Sequence, residues 1–202
     1  MSEITTLSPS GLDANYETML SKLRDPSLRP SEVRTLVSDL TAILAQRAIE
    51  PVGPSEQVAV VVILRSGMAM QDRFLSYFPA DSNVVIYHLG LFRDKRTLQA
   101  VEYYNKLPPR SPDIVHGYIL DPLMATGGTA EAAINILRDW GLTKITMVSV
   151  LASEKGLSRV RSIWPEGVKV VVGATDGELD HHGYVKPGVG DIGDRLYGTQ
   201  LL

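Results

Sequence analysis

Apolar residues along this chain fall into two rhythms. Val58 to Leu64, Asn83 to Leu89, Val115 to Leu120, Ile145 to Leu151 and Val168 to Gly173 are short runs rich in β-branched residues. Such runs fit strands covered on both faces. Between and before them, Leu12 to Arg24, Pro30 to Glu50, Met68 to Tyr77, Thr129 to Trp140 and Glu154 to Ile163 read as helices. In the second of these, Val33, Leu36, Val37, Leu40, Ile43 and Leu44 make an apolar stripe, and Pro30 and Ser31 suit its first turn. Ala133, Ile136, Leu137 and Trp140 mark a face of the fourth, which stops at Gly141. Strands alternating with helices predict right-handed crossovers and an α/β fold: a mainly parallel twisted sheet flanked by helices. One domain over 1–202 follows, with N-terminal helices in 12–50, a core in 58–174 and a tail of weak periodicity from 175 to 202.

Composition changes this picture little. The 202 residues are 44% hydrophobic and 21% charged, enough for a buried core. A net charge of -3 gives no general attraction to nucleic acid or membrane. Without cysteine there is no disulfide and no thiolate chemistry. No run is long and apolar enough to span a bilayer, and Met1 to Gly11 lacks the basic and apolar parts of a signal peptide, so cytoplasmic residence is expected.

Chemistry concentrates first at Asp121 to Thr129, between an apolar run and a helix. Exposed amides and the positive end of a helix dipole favour an anion there, and Gly127 and Gly128 let the backbone approach it. Thr126 and Thr129 add hydroxyl donors, and Asp121 places a carboxylate where it can accept from sugar hydroxyls. A phosphate cradle beside such an acceptor suits a ribose 5-phosphate. No lysine follows the glycines, so this is not a Walker A loop. Gly-Gly-Thr by itself is equally compatible with a helix start that holds no ligand.

Arg65 ends the run Val58 to Leu64, at the strand edge where open α/β sheets bind ligands, although position alone also admits a surface arginine in a tight turn. Gly90 to Pro109 carries Arg93, Asp94, Lys95 and Arg96, a charge run that by itself reads as a solvated loop. The tail contains Gly188-x-Gly190-x-x-Gly193, formally a dinucleotide fingerprint, but Pro187 precedes it and no crossover surrounds it. The adjacent His181 and His182 lack partners at metal-ligand spacing and read as a solvated loop.

The nonamer Asp121-Pro122-Leu123-Met124-Ala125-Thr126-Gly127-Gly128-Thr129 resembles the phosphoribosyl diphosphate (PRPP) loop of the uracil phosphoribosyltransferases, which reads Asp-Pro-Met-Leu-Ala-Thr-Gly-Gly-Ser or close to it. Ile63-Leu64-Arg65-Ser66-Gly67-Met68 resembles the family's Ile-Leu-Arg-Ala-Gly-Leu, the loop that receives diphosphate. Phe92-Arg93-Asp94, Thr97 and Tyr103-Tyr104-x-Lys106-Leu107-Pro108 match the family's Arg-Asp, Thr and Tyr-Tyr-x-Lys-Leu-Pro series. Asp176, Gly183 to Arg195 and Tyr197-Gly198-Thr199 resemble its base-binding hood.

The resemblance covers nearly the whole chain. It implies the type I phosphoribosyltransferase fold with a small C-terminal hood and a mobile hairpin, and transfer of 5-phosphoribosyl from PRPP to uracil, giving UMP and diphosphate. It implies Asp121, Arg65, Arg93 and Asp191 as the catalytic set, with Lys95, Arg96 and Lys106 as lesser candidates. PRPP would also meet Pro122 through Thr129, and uracil would lie against Val185, Gly190, Asp191 and Ile192. Mg2+ would arrive with PRPP and not in a side-chain cage. A non-proline cis peptide is implied after Arg65. Ser66 and Ile192 stand where the family often has alanine, and Ile192 narrows the base site. The family's dimer is implied as well, but Pro51 to Gln57 is too short for its clasping arm. Two other readings stay open: a PRPP or nucleotide sensor that no longer turns over, and an enzyme of this type acting on another base.

Overall fold

The computed structural model describes residues 4–6, 14–94, 97 and 99–199. In chain order its elements are β1 (Ile4–Thr6), α1 (Ala14–Leu23), α2 (Pro30–Ala48), β2 (Gln57–Leu64), α3 (Met68–Leu75), β3 (Asn83–Arg93), β4 (Ala100–Asn105) and β5 (Ile114–Leu120). There follow β6 (Leu123–Met124), α4 (Gly128–Asp139), β7 (Ile145–Ser153), α5 (Glu154–Ile163), β8 (Val168–Asp176), β9 (Glu178–Leu179), β10 (Val185–Lys186) and α6 (Ile192–Tyr197).

The main sheet has the order β1-β8-β7-β5-β2-β3-β4, with β6 added beside β7. Every pairing in it is parallel except β3 with β4. The expected α/β class and mainly parallel sheet are therefore present. Alternation within β2 divides the core. Val58, Val60 and Val62 face a cluster with α1, α2, α3 and α6, and Ala59, Val61 and Ile63 face a second with α4 and α5. Burial on both faces explains why the strand reads as an unbroken apolar run.

Winding reverses between β2 and β5. From β2 the chain crosses to β3 on one side, and from β5 it crosses to β7 and β8 on the other. Open sheets leave a crevice at the carboxyl ends of strands at such a reversal. Arg65 follows one of those ends and Asp121 the other.

Four expectations are corrected. Ile4–Thr6 forms an edge strand parallel to β8, with Ile4 opposite Val170; three residues are too few to show a period. Gly90 to Pro109 is not a loop throughout. β3 runs on to Arg93 and β4 returns antiparallel from Ala100, with a bulge at Gly90/Leu91, because Leu91 is buried within the charged segment. The non-proline cis bond is Leu64–Arg65, one position before that expected; β2 pairing ends with Leu64 opposite Gly90, so the chain leaves the sheet at that peptide. The second helix stops at Ala48, where Ile49 turns extended. The expected helix start at Leu12 and Asp13, and Lys95 and Arg96, lie outside the described residues.

Residues 49–56 between α2 and β2 form no strand, so the shortened arm is a feature of the fold. The tail beyond β8 is a two-stranded hairpin, β9 with β10, followed by α6. Two arginines fasten it to the N-terminal helices. Arg24 donates from Nη1 and Nη2 to the two oxygens of Asp176 at 2.7 and 2.9 Å and also to the carbonyl of Gly188. Arg195 donates to the carbonyls of Leu23, Val189 and Asp25. Such planar forks fix orientation as well as distance. Among the described residues no helix is long and apolar enough to cross a membrane.

Candidate active site

A cavity of about 560 Å³ opens at the crevice. Its walls come from the turn after β2 (Arg65, Ser66), the hairpin (Phe92, Arg93, Tyr103), the segment after β5 (Asp121 and Leu123 to Ala130) and the tail (Tyr184, Asp191, Ile192, Gly193). Segments far apart in sequence thus bring to one cavity all four residues expected as the catalytic set: Arg65, Arg93, Asp121 and Asp191.

Asp121 is 7% exposed at the end of β5. Burial pushes its carboxyl up to about 7, against the lowering effect of hydrogen bonds from the Ser66 hydroxyl and the Leu123 backbone. The Ser66 donor lies 3.0 Å from Oδ1. Ser66 is brought there by Gly67, whose missing Cβ would sit 2.3 Å from the carbonyl oxygen of Leu120.

The turn after Asp121 is built on two sides. Gly127, at φ +76°, caps α4 and aims the first amides of the helix at the cavity. Beneath it, Ser153 donates to the carbonyl of Ala125 at 2.6 Å and accepts from the amide of Gly156. A Cβ on Gly156 would stand 2.6 Å from that same carbonyl oxygen. Gly156 and Ser153 escaped the sequence reading because a helix start after a strand gives no sign of what rests on it; glycine in the first turn of α5 was the available signal. Pro122 lies behind the wall, its carbonyl accepting from the amides of Val150 and Leu151.

The two arginines reach the cavity while leaning on the tail. Arg65 donates to Thr199 Oγ1 at 3.2 Å, approaches Asp194 Oδ1 at 3.3 Å and lies over the Tyr197 ring. Arg93 donates to the carbonyl of Gly183 at 3.1 Å and lies over the Tyr184 ring. Gly183 suits that place because its φ is +76°, a left-handed conformation that favours glycine.

Asp191 caps α6, accepting from the amide of Asp194 at 3.0 Å. Ile192, beside it, presents to the cavity and is 6% exposed. The other residues expected against the base stand apart from these two. Val185 is buried in the core, and Gly190, at φ +70°, is exposed beyond the cavity wall. Asp176 does not face the cavity either; it is the anchor for Arg24. Among the described residues no group of histidines, cysteines and carboxylates has the arrangement to cage a metal.

Residues 52–199 match the family model described as uracil phosphoribosyltransferase. The chain belongs to the uracil phosphoribosyltransferase family. A putative uracil phosphoribosyltransferase of Schizosaccharomyces pombe is 52% identical over 177 residues, covering 88% of this chain and 83% of the relative. The uracil phosphoribosyltransferase of Thermus thermophilus is 36% identical, over 90% and 93% of the two chains. A solved protein of Aquifex aeolicus superposes with a TM-score of 0.85 at 28% identity, over 98% of this chain and 100% of that one. An adenine phosphoribosyltransferase of Trypanosoma brucei, at 13% identity and a TM-score of 0.55 over 87% and 84%, shares the fold. The type I phosphoribosyltransferase fold expected from the nonamer is thus present. Within this family, the Arg65 turn, the β3–β4 hairpin and the Asp121 segment surround one cavity in this chain.

Proposed function

We propose that the protein transfers the 5-phosphoribosyl group of PRPP to uracil, releasing diphosphate and giving UMP. The observation that carries this is the meeting, in one crevice, of a helix N-terminus, a buried carboxylate and two guanidiniums. The 5-phosphate would lie at Thr126 to Thr129, on the first amides of α4. Ribose hydroxyls would donate to Asp121, and Arg65 and Arg93 would take the diphosphate with planar donors. The base would lie under the hood beside Asp191 and Ile192.

In the reaction the C1–O bond to diphosphate breaks, its electron pair leaving with diphosphate, and a ring nitrogen of uracil bonds to C1 as its N–H proton is lost to solvent. Charge grows on the leaving oxygens and on the ribose ring. Fixed cations aimed at the first and a fixed carboxylate beside the second lower the barrier, as does holding base and sugar in line. The aromatic rings of Phe92 and Tyr103, 5.9 Å apart on the hairpin, would help exclude water that competes with the base.

Mg2+ fits this donor set. It keeps much of its water and binds substrate phosphates with one or two carboxylates, and the cavity supplies Asp121 and Asp191. Bound with PRPP, it would neutralise diphosphate charge.

The test is purified protein with Mg2+ and PRPP, incubated with uracil and then with other bases in turn. Diphosphate release with uracil supports the reading. PRPP binding without release would make the protein a sensor, and release with a different base alone would reassign its substrate. We further propose cytoplasmic residence and a homodimer built without the arm.

A further inference from the structure

Ser66 stands where the resembling loop carries alanine, and its hydroxyl does something a methyl group cannot. It donates at 3.0 Å to Oδ1 of Asp121, which lies 55 residues later in the chain. The two meet because Gly67 packs against the carbonyl oxygen of Leu120, closing the β2 turn onto the end of β5. Asp121 is almost wholly buried, and its other donor is the backbone amide of Leu123. Serine is thus the only side chain hydrogen-bonded to this carboxylate among the described residues.

We propose that Ser66 is a positioning residue for Asp121: it pins one carboxylate oxygen and leaves the remaining lone pairs directed at the ribose hydroxyls. The inference rests on the PRPP reading of the cavity. A carboxylate offers about four acceptor directions. Two are filled by Ser66 and Leu123, which leaves room for a diol. Ser66 also joins the turn that holds Arg65 to the segment that holds the sugar, so the two halves of PRPP meet groups set by one hydrogen bond.

The experiment is calorimetric titration of the whole protein with PRPP and Mg2+ at one fixed pH, for wild type, Ser66→Ala and Ser66→Thr. Ser66→Ala should bind PRPP about tenfold more weakly. Ser66→Thr, which keeps the hydroxyl, should restore the wild-type affinity. Unchanged affinity in Ser66→Ala, or equal defects in Ser66→Ala and Ser66→Thr, would overturn the positioning role. Failure of wild type to bind PRPP would instead remove the functional reading on which it stands.

Discussion

A buried carboxylate with one serine and one amide for company is a costly thing to keep charged, and the consequences can be measured at Asp121. Its carboxyl sits at about 7 in the folded protein against an ordinary 3.8. The folded state therefore holds the proton more tightly than the unfolded chain. The stabilising contribution is complete below pH 4 and is lost as the pH climbs from 4 through 7. Asp121→Asn should abolish that slope and be more stable than wild type at pH 8, by an amount on the order of a few kcal/mol. The same substitution should lower turnover by roughly a hundredfold or more with the fold intact, because the amide is a weaker acceptor for ribose hydroxyls. Thermal melts across pH, paired with diphosphate release, read both effects; a variant that is neither stabler nor slower contradicts the role assigned. Arg65→Ala should reduce turnover by a similar factor without changing the melting temperature, since that side chain is half exposed on the tail.

Among the elements, α5 supports the segment from Asp121 to Thr129 from below, through Ser153 and Gly156 against the Ala125 carbonyl. Gly156→Ala would push a methyl group within 2.6 Å of the Ala125 carbonyl oxygen, so the turn must shift. PRPP affinity should fall by about tenfold or more, while the circular dichroism spectrum stays the same. The long strands were legible because burial on both faces makes Val58 to Leu64 and Ile145 to Leu151 nearly all apolar. Helix α5 was legible to the residue, from Glu154 to Ile163. β1 was missed because three residues carry no period, and the hairpin was legible only through resemblance because charge masked its buried Leu91. Asp121 and Arg65 were readable as strand-end residues. Which hood residues line the cavity was less so, because it depends on the β9–β10 register and on left-handed glycines, which leave Val185 and Gly190 off its wall.

At the scale of the whole molecule, the cavity exists because the sheet reverses direction between β2 and β5, and the hood closes over it because Arg24 clamps the end of β8. Arg24→Ala leaves the Asp176 carboxylate with a single remaining donor among the described residues, the amide of Gly188. It should raise the KM for uracil severalfold and spare PRPP affinity, which the opposite side of the crevice supplies. Kinetics with each substrate varied in turn distinguish the two; equal damage to both would mean that the clamp holds the fold rather than the hood.

Arg65 and Arg93 both lean on carbonyl, hydroxyl or carboxylate oxygens of the tail before any anion arrives. A small ion such as orthophosphate must displace those contacts one at a time and gains little from either. A chain of two linked phosphoryl groups is long enough to engage both cations together, so the empty protein should discriminate by length. Competition by methylenediphosphonate at concentrations where orthophosphate has no effect would show this filtering at work.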